Sequence, residues 1–318
     1  MPPRRRFGKR LVKSLLPILL VIVLAVVGAL SFIVYCVSRP AKRPYVVTPD
    51  SFSRISGRAI KVTDEIWTNS DGGHARGWLL KGAEGAPAVV LLHRYGGDRS
   101  WLFNLGVKIN ETTNFTILWP DLRGHGESPL VNWTALGARE GDDLLDALRY
   151  LRSLQSEKQK PLVGGTFGVY GVELGAFSAL KAARTEPQIR VLVLDSVSRS
   201  SDELLHAAVA NCVGVDNSIV QYFSRVAMKL YLFGGYDDAN ACEFARAIRD
   251  QRVLLLSGSD AGNLREATAS LQSCFPNHAN IETRTDLPLS GFSMPSATGE
   301  QGEAYDRIVI DFFDRNLR

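Results

Sequence analysis

The chain has 318 residues, 45% hydrophobic and 22% charged, with a formal net charge of +4. Residues 1–43 hold nine Lys and Arg and no acid, leaving 28 basic against 33 acidic residues, so the positive surplus belongs to the tail alone. The chain beyond the tail suffices for one α/β domain of roughly 260–270 residues, and its acidic balance excludes a basic nucleic-acid surface.

In chain order, residues 1–14 read as a basic cytoplasmic tail. Leu15 to Val37 then runs 23 residues without a charge, long enough to cross a hydrocarbon core of about 30 Å as a helix. Six basic residues precede this run and three come after it (Arg39, Lys42 and Arg43). The basic-side rule therefore keeps the N-terminus cytoplasmic and puts the domain on the periplasmic, extracellular or lumenal side. A cleaved signal peptide is the competing reading, but its apolar region is usually only ~7–15 residues and ends at a small-residue cleavage site, which is lacking here. The membrane is thus the one expected partner of defined kind; nucleic acid is not expected, and any protein partner is unspecified. Cys36 falls inside the span. Cys212, Cys242 and Cys274 remain, without metal-ligand spacing; one disulfide or three thiols both fit, and neither metal nor cofactor is expected.

Ser38 to about Arg54 is polar, carries Pro40, Pro44 and Pro49, and reads as a linker, so that residues 55–318 form the domain. AIKVTDEIWT and ARGWLLKG flank Asn69-Ser-Asp-Gly-Gly and predict an antiparallel hairpin. Apolar runs at 88–93, 116–121, 167–171, 191–195 and 253–258 then alternate with helical stretches. Nearly continuous apolar strands of this kind are covered on both faces, which predicts a mostly parallel sheet between helices. In DDLLDALRYLRSLQ, Leu144, Leu145, Leu148 and Leu151 make one helical stripe, with Asp142 and Asp143 in the first turn. Residues 196–250 form a lid-like insertion whose aromatics Tyr222, Phe223, Tyr231, Phe233 and Tyr236 either line an apolar ligand pocket or belong to the core. AYDRIVIDFFDRNLR predicts an amphipathic closing helix.

Four motifs in this frame resemble the α/β-hydrolase family, in its branch with one N-terminal membrane anchor. LLHRYGGDRS (91–100) is similar to its oxyanion loop and DLRGHGES (121–128) to a loop after the next strand. Gly171-Val-Glu-Leu-Gly175 occupies the nucleophile elbow, G-x-S-x-G, and SGSDAGN (257–263) the position of the acid. The resemblance implies the α/β-hydrolase fold over about residues 55–316. It assigns the nucleophile position to Glu173, the acid to Asp260, and the histidine, within DLPLSGFSMPS (286–296), to Phe292. It also assigns the oxyanion donors to the backbone of Tyr95 and Leu174, and places His93 and Arg94 in the pocket.

The departures govern the expected chemistry. The triad needs a hydroxyl to attack, an imidazole to move its proton and a carboxylate to orient the imidazole. Glu173 has no hydroxyl, Phe292 cannot carry a proton, and Asp260 has nothing to orient. His93 and His125 are surrogate bases in principle; hydrogen-bonded loop histidines are the plainer reading. Arg94 and Glu173 face each other across the site, so a charge-assisted pair is expected between them, the alternative being an Arg94 turned to solvent. The expectation is a membrane-anchored pseudoenzyme that binds a small apolar or ester-like ligand or a partner; the alternative is a hydrolase of small esters, lipids or peptides with an atypical site.

Overall fold

A computed structural model describes residues 5–127, 129–236, 240–293 and 299–318, with side chains from Leu15 onward. The tail residues 1–4, Ser128 of the 121–128 loop and Met294 to Ser296 of the 286–296 segment lie outside the described residues.

The apolar N-terminal run is the outer part of one long helix, α1 (Arg5–Ser38). A short helix, α2 (Pro49–Ser56), comes next. The expected hairpin is β1 (Val62–Thr68) and β2 (His74–Leu80), paired antiparallel. Then come β3 (Ala86–Leu92), α3 (Phe103–Thr113), β4 (Thr116–Pro120), α4 (Glu140–Ser153), β5 (Val163–Val172), α5 (Leu174–Ala183) and β6 (Ile189–Asp195). The lid region supplies α6 (Ser201–Val213), α7 (Ser218–Tyr231) and the short α8 (Ala241–Ala245). The chain closes with β7 (Arg252–Gly258), α9 (Asn263–Leu271), β8 (Ile281–Leu287) and α10 (Gly299–Leu317).

The eight strands form one sheet in the order β1-β2-β4-β3-β5-β6-β7-β8, antiparallel at β1-β2-β4 and parallel from β4 to β8. Side chains alternate across it as strand geometry requires. On β3, Ala88, Val90 and Leu92 pack with α4 and α5, whereas Val89 and Leu91 pack with α3 and α10. Both faces are covered, which is why the inner strands read as unbroken apolar runs.

The end of α1 docks on the domain. Ile33, Val34 and Val37 are buried, and the helix contacts α6 and α7. Cys36 is thereby brought to α6 and forms a disulfide with Cys212; Cys242 and Cys274 form the second. The expectation of one disulfide or three thiols among the other cysteines is therefore corrected: Cys36, within the apolar helix, is on a turn that faces the domain, and no cysteine is free.

The last residues of α1 and the stretch after it are fixed to the domain at defined points. The Tyr95 hydroxyl donates to the Val37 carbonyl at 2.8 Å, Thr134 N–H to the Ser38 carbonyl at 2.8 Å, Tyr45 hydroxyl to Asp121 at 2.8 Å and Val46 N–H to Ser100 Oγ at 2.9 Å. Thr48 caps α2 through a capping box, with Pro49 in the first helical turn, where its missing N–H costs nothing.

Candidate active site

The carboxyl ends of β3, β5, β6 and β7 converge beneath the loops singled out in the sequence. β5 ends at Val172, and Glu173 turns the chain directly into α5 with φ 49° and ψ −104°. Positive φ in a non-glycine residue costs on the order of 1–3 kcal/mol, and the surroundings hold it in place. Glu173 N–H donates to the Asp195 carbonyl at 3.0 Å, and its own carbonyl accepts from Phe177 N–H at 2.9 Å. The two flanking glycines permit the approach. A Cβ on Gly171 would stand 2.5 Å from the Gly175 carbonyl, and one on Gly175 would stand 2.3 Å from the Leu92 carbonyl oxygen.

The Glu173 side chain does not point outward as an attacking group would. Its Oε2 accepts the Tyr95 backbone N–H at 3.0 Å, so the protein's own carboxyl occupies one of the two donors assigned to the oxyanion hole. Leu174, the other, is the first residue of α5 and fully buried. Burial raises the Glu173 carboxyl to about 7 against the opposing pull of Arg94 and of the Tyr95 N–H.

Arg94 departs from expectation in both forms: it neither pairs with Glu173 nor turns to solvent. Its guanidinium carbon lies 4.4 Å from the Trp101 ring centre and 5.2 Å from that of Phe292, and Nη1 donates to the Tyr95 carbonyl at 3.3 Å. A planar, weakly hydrated cation is well accommodated between aromatic faces, and the Glu173 carboxyl already has its donor in Tyr95. The two charges still act on each other through space: Glu173 opposes the lowering that burial imposes on Arg94.

Phe292 lies in the loop after β8, as a packing surface for Arg94. Asp260, just beyond β7, is exposed; it accepts from Ser290 Oγ at 3.0 Å and from Ser293 Oγ. Serines on either side of Phe292 therefore hold the Asp260 carboxylate.

His93 and His125 are both buried and bound through Nδ1 to a backbone carbonyl, and His125 Nε2 has no hydrogen-bond partner among the described residues. His93 is buried with Nδ1 2.8 Å from the Arg94 carbonyl and Nε2 3.0 Å from the Leu122 N–H, which makes Nδ1 the donor and fills both nitrogens. Burial lowers it to about 4. The His125 ring lies 5.2 Å from that of His93 and binds the Arg123 carbonyl through Nδ1 at 2.8 Å. Burial, aided by His93, lowers it to about 3.

Two residues of the site carried no motif. Trp101 supplies the wider face of the Arg94 sandwich. Asp195, at the end of β6, is fully buried and accepts from Ser196 Oγ at 2.6 Å, Gly291 N–H at 2.9 Å and Tyr305 hydroxyl at 2.5 Å; burial raises it to about 6. Through its carbonyl to Glu173 and its carboxyl to Gly291, Asp195 ties the elbow to the loop of Phe292. An acid closing an all-apolar buried strand, as in VLVLD, is the signal that points to it.

The lid aromatics divide: Tyr231 lines an apolar groove with α1, Tyr236 packs against the core, and the other three belong to neither. Tyr222, Phe223, Tyr231 and Phe233 are exposed, and Tyr236 is half-buried with its hydroxyl 2.5 Å from Asp202.

By sequence, no family model and no curated protein matches the chain. By structure, the chain is similar to an esterase of Pyrococcus furiosus at 19% identity and a TM-score of 0.65, over 88% of this chain and 98% of that one. It is also similar to a hyperthermophilic esterase of Pyrobaculum calidifontis at 15% identity and a TM-score of 0.57, over 85% and 91% of the two chains. An alpha/beta hydrolase of a Penicillium species aligns over 81% and 99%, at 15% identity and a TM-score of 0.55. The fold is therefore the α/β-hydrolase fold, with a mostly parallel eight-stranded sheet and one N-terminal helix, Leu15–Ser38, long and apolar enough to span a membrane.

Proposed function

We propose that the chain is a membrane-anchored α/β-hydrolase-fold protein that binds a ligand or partner and does not turn over esters. The observation that carries this reading is the contact between Glu173 Oε2 and the Tyr95 N–H at 3.0 Å. An oxyanion hole works by offering preorganised donors to a charge that develops only in the transition state. Here a resident carboxyl already takes one such donor. The elbow offers no hydroxyl, and the histidine position offers a ring that cannot move a proton.

A carboxylate nucleophile is a poor substitute. An ester formed on Glu173 needs water activated by a base for its hydrolysis, and both nitrogens of His93 are engaged. Purified full-length protein is expected to remain unlabelled by a fluorophosphonate probe and to hydrolyse p-nitrophenyl acetate no faster than buffer. Labelling would favour the second reading, a hydrolase of small esters, lipids or peptides with an atypical site. That reading draws its support from the structural likeness to esterases.

The anchored reading holds that α1 spans the membrane with the N-terminus cytoplasmic and the domain on the periplasmic, extracellular or lumenal side. The basic residues before the span support it. So do the two disulfides, which persist where the compartment is oxidising. Protease added to intact spheroplasts or cells is expected to degrade the domain. Full protection there, with degradation after lysis, would reverse the orientation.

A further inference from the structure

We propose that the outer face of α7 is bedded in the same membrane that α1 crosses, so that the lid of the fold is a lipid-facing surface. The proposal rests on the anchored reading of α1. Along α7, Ile219, Tyr222, Phe223, Val226 and Leu230 recur at helical spacing and stand exposed, Leu230 by 71%, and Phe233 in the turn after the helix is exposed by 97%. The buried positions of the helix, Ser224 and Met228, lie on its other side. Its two cations are drawn away from the stripe: Arg225 pairs with Asp202 at 2.8 Å, and Lys229 sits over the Tyr236 ring at 5.7 Å. What remains is a contiguous apolar face, aromatic in part, of the kind that marks contact with a membrane or a partner.

Position relative to α1 selects the membrane. α7 packs along α1, and Val27, Leu30 and Val34 of α1 line one groove with Ala227, Leu230 and Tyr231. A span beginning at Leu15 needs about 20 residues to cross about 30 Å of hydrocarbon, which carries it to about Val34. Val27 and Leu30 are therefore at hydrocarbon depth, and the groove runs from them to Ser38 and Arg39 just past that depth, so α7 lies along the edge of the hydrocarbon layer. The Cys36–Cys212 disulfide, between α1 and the helix before α7, fixes this level. The domain cannot hang from a slack tether; it sits down on the bilayer with α7 beside the span.

The test uses the full chain in phosphatidylcholine liposomes. Since the native cysteines are all in disulfides, one introduced cysteine can carry a nitroxide label. Four variants suffice: Phe223→Cys and Leu230→Cys on α7, Val21→Cys in the span, and Asp286→Cys on β8, whose side chain is 76% exposed. Collision with oxygen, which concentrates in lipid, is compared with collision with a water-soluble nickel chelate. Labels at 223 and 230 are expected to match the label at 21, favouring oxygen several-fold, while the label at 286 favours nickel. If 223 and 230 behave like 286 while 21 stays lipid-exposed, the bedding of α7 is overturned and the anchor stands. If 21 itself favours nickel, the anchored reading fails and this proposal with it. Labels at 223 and 230 shielded from both reagents, with dipolar broadening between copies, would assign the face to a second copy of the chain and also overturn the proposal.

Discussion

Glu173→Ser combined with Phe292→His is expected to convert the protein into a measurable esterase. The first change removes the carboxyl that accepts the Tyr95 N–H and puts a hydroxyl on the elbow, whose geometry the flanking glycines and the Asp195 carbonyl already hold. The second puts an imidazole on the loop whose serines bind Asp260, so that the acid gains the group it orients in a working triad. A positioned general base is worth about 10²- to 10⁴-fold, and the double variant should exceed Glu173→Ser alone by a factor in that range on p-nitrophenyl acetate. Phe292→His alone should stay silent, having no hydroxyl to deprotonate. Arg94 packs against the very ring being replaced, so adding Arg94→Gly should raise turnover further by opening the space above the elbow. A double variant that melts like the parent and yet matches Glu173→Ser would show that residue 292 is not the base position.

Where each residue lies in the fold decides how legible it is in the sequence. The five strands β3 to β7 are legible because both faces of the sheet are covered there and their sequences are largely apolar. β8, with the burial of an edge strand, alternates as Ile-Glu-Thr-Arg-Thr-Asp-Leu and escapes a search for apolar runs. α2 is concealed by three prolines that suggest a linker, although Thr48-Pro49 is itself a cap with a first-turn proline after it. Glu173, Asp260 and Phe292 can be located because backbone motifs surround them. Asp195 and Trp101 have no motif; their importance comes from three-dimensional neighbours, Gly291 and Tyr305 for one, Arg94 for the other. The pair expected between Arg94 and Glu173 fails for a related reason. Sequence places the two charges in one site but cannot show that Tyr95 satisfies the acid and two rings the base.

Glu173→Gln is expected to make the domain more stable at pH 8 and to leave it nearly unchanged at pH 4.5. The sign comes from linkage. Burial raises the folded carboxyl to about 7, while an unfolded glutamate titrates near ~4.3. The folded state therefore holds a proton that the unfolded state has released, and the stabilising preference is fully present below the unfolded value and lost as pH rises through about 7. At 1.36 kcal/mol for each pH interval, the loss comes to roughly 3 kcal/mol. Glutamine keeps the shape, and its amide oxygen can accept the Tyr95 N–H, but it has no proton to lose. Asp195 loses its preference over an overlapping range in both proteins, so the comparison uses the difference between variant and parent, from urea unfolding at the two pH values. A difference that does not change with pH would mean that Glu173 is not the buried acid described. Arg94 supplies an independent check. Arg94→Leu removes the cation that favours the ionised form, so it should destabilise the parent more at pH 8 than at pH 4.5. In the Glu173→Gln background that pH dependence should vanish, because a neutral amide has no charge for Arg94 to favour.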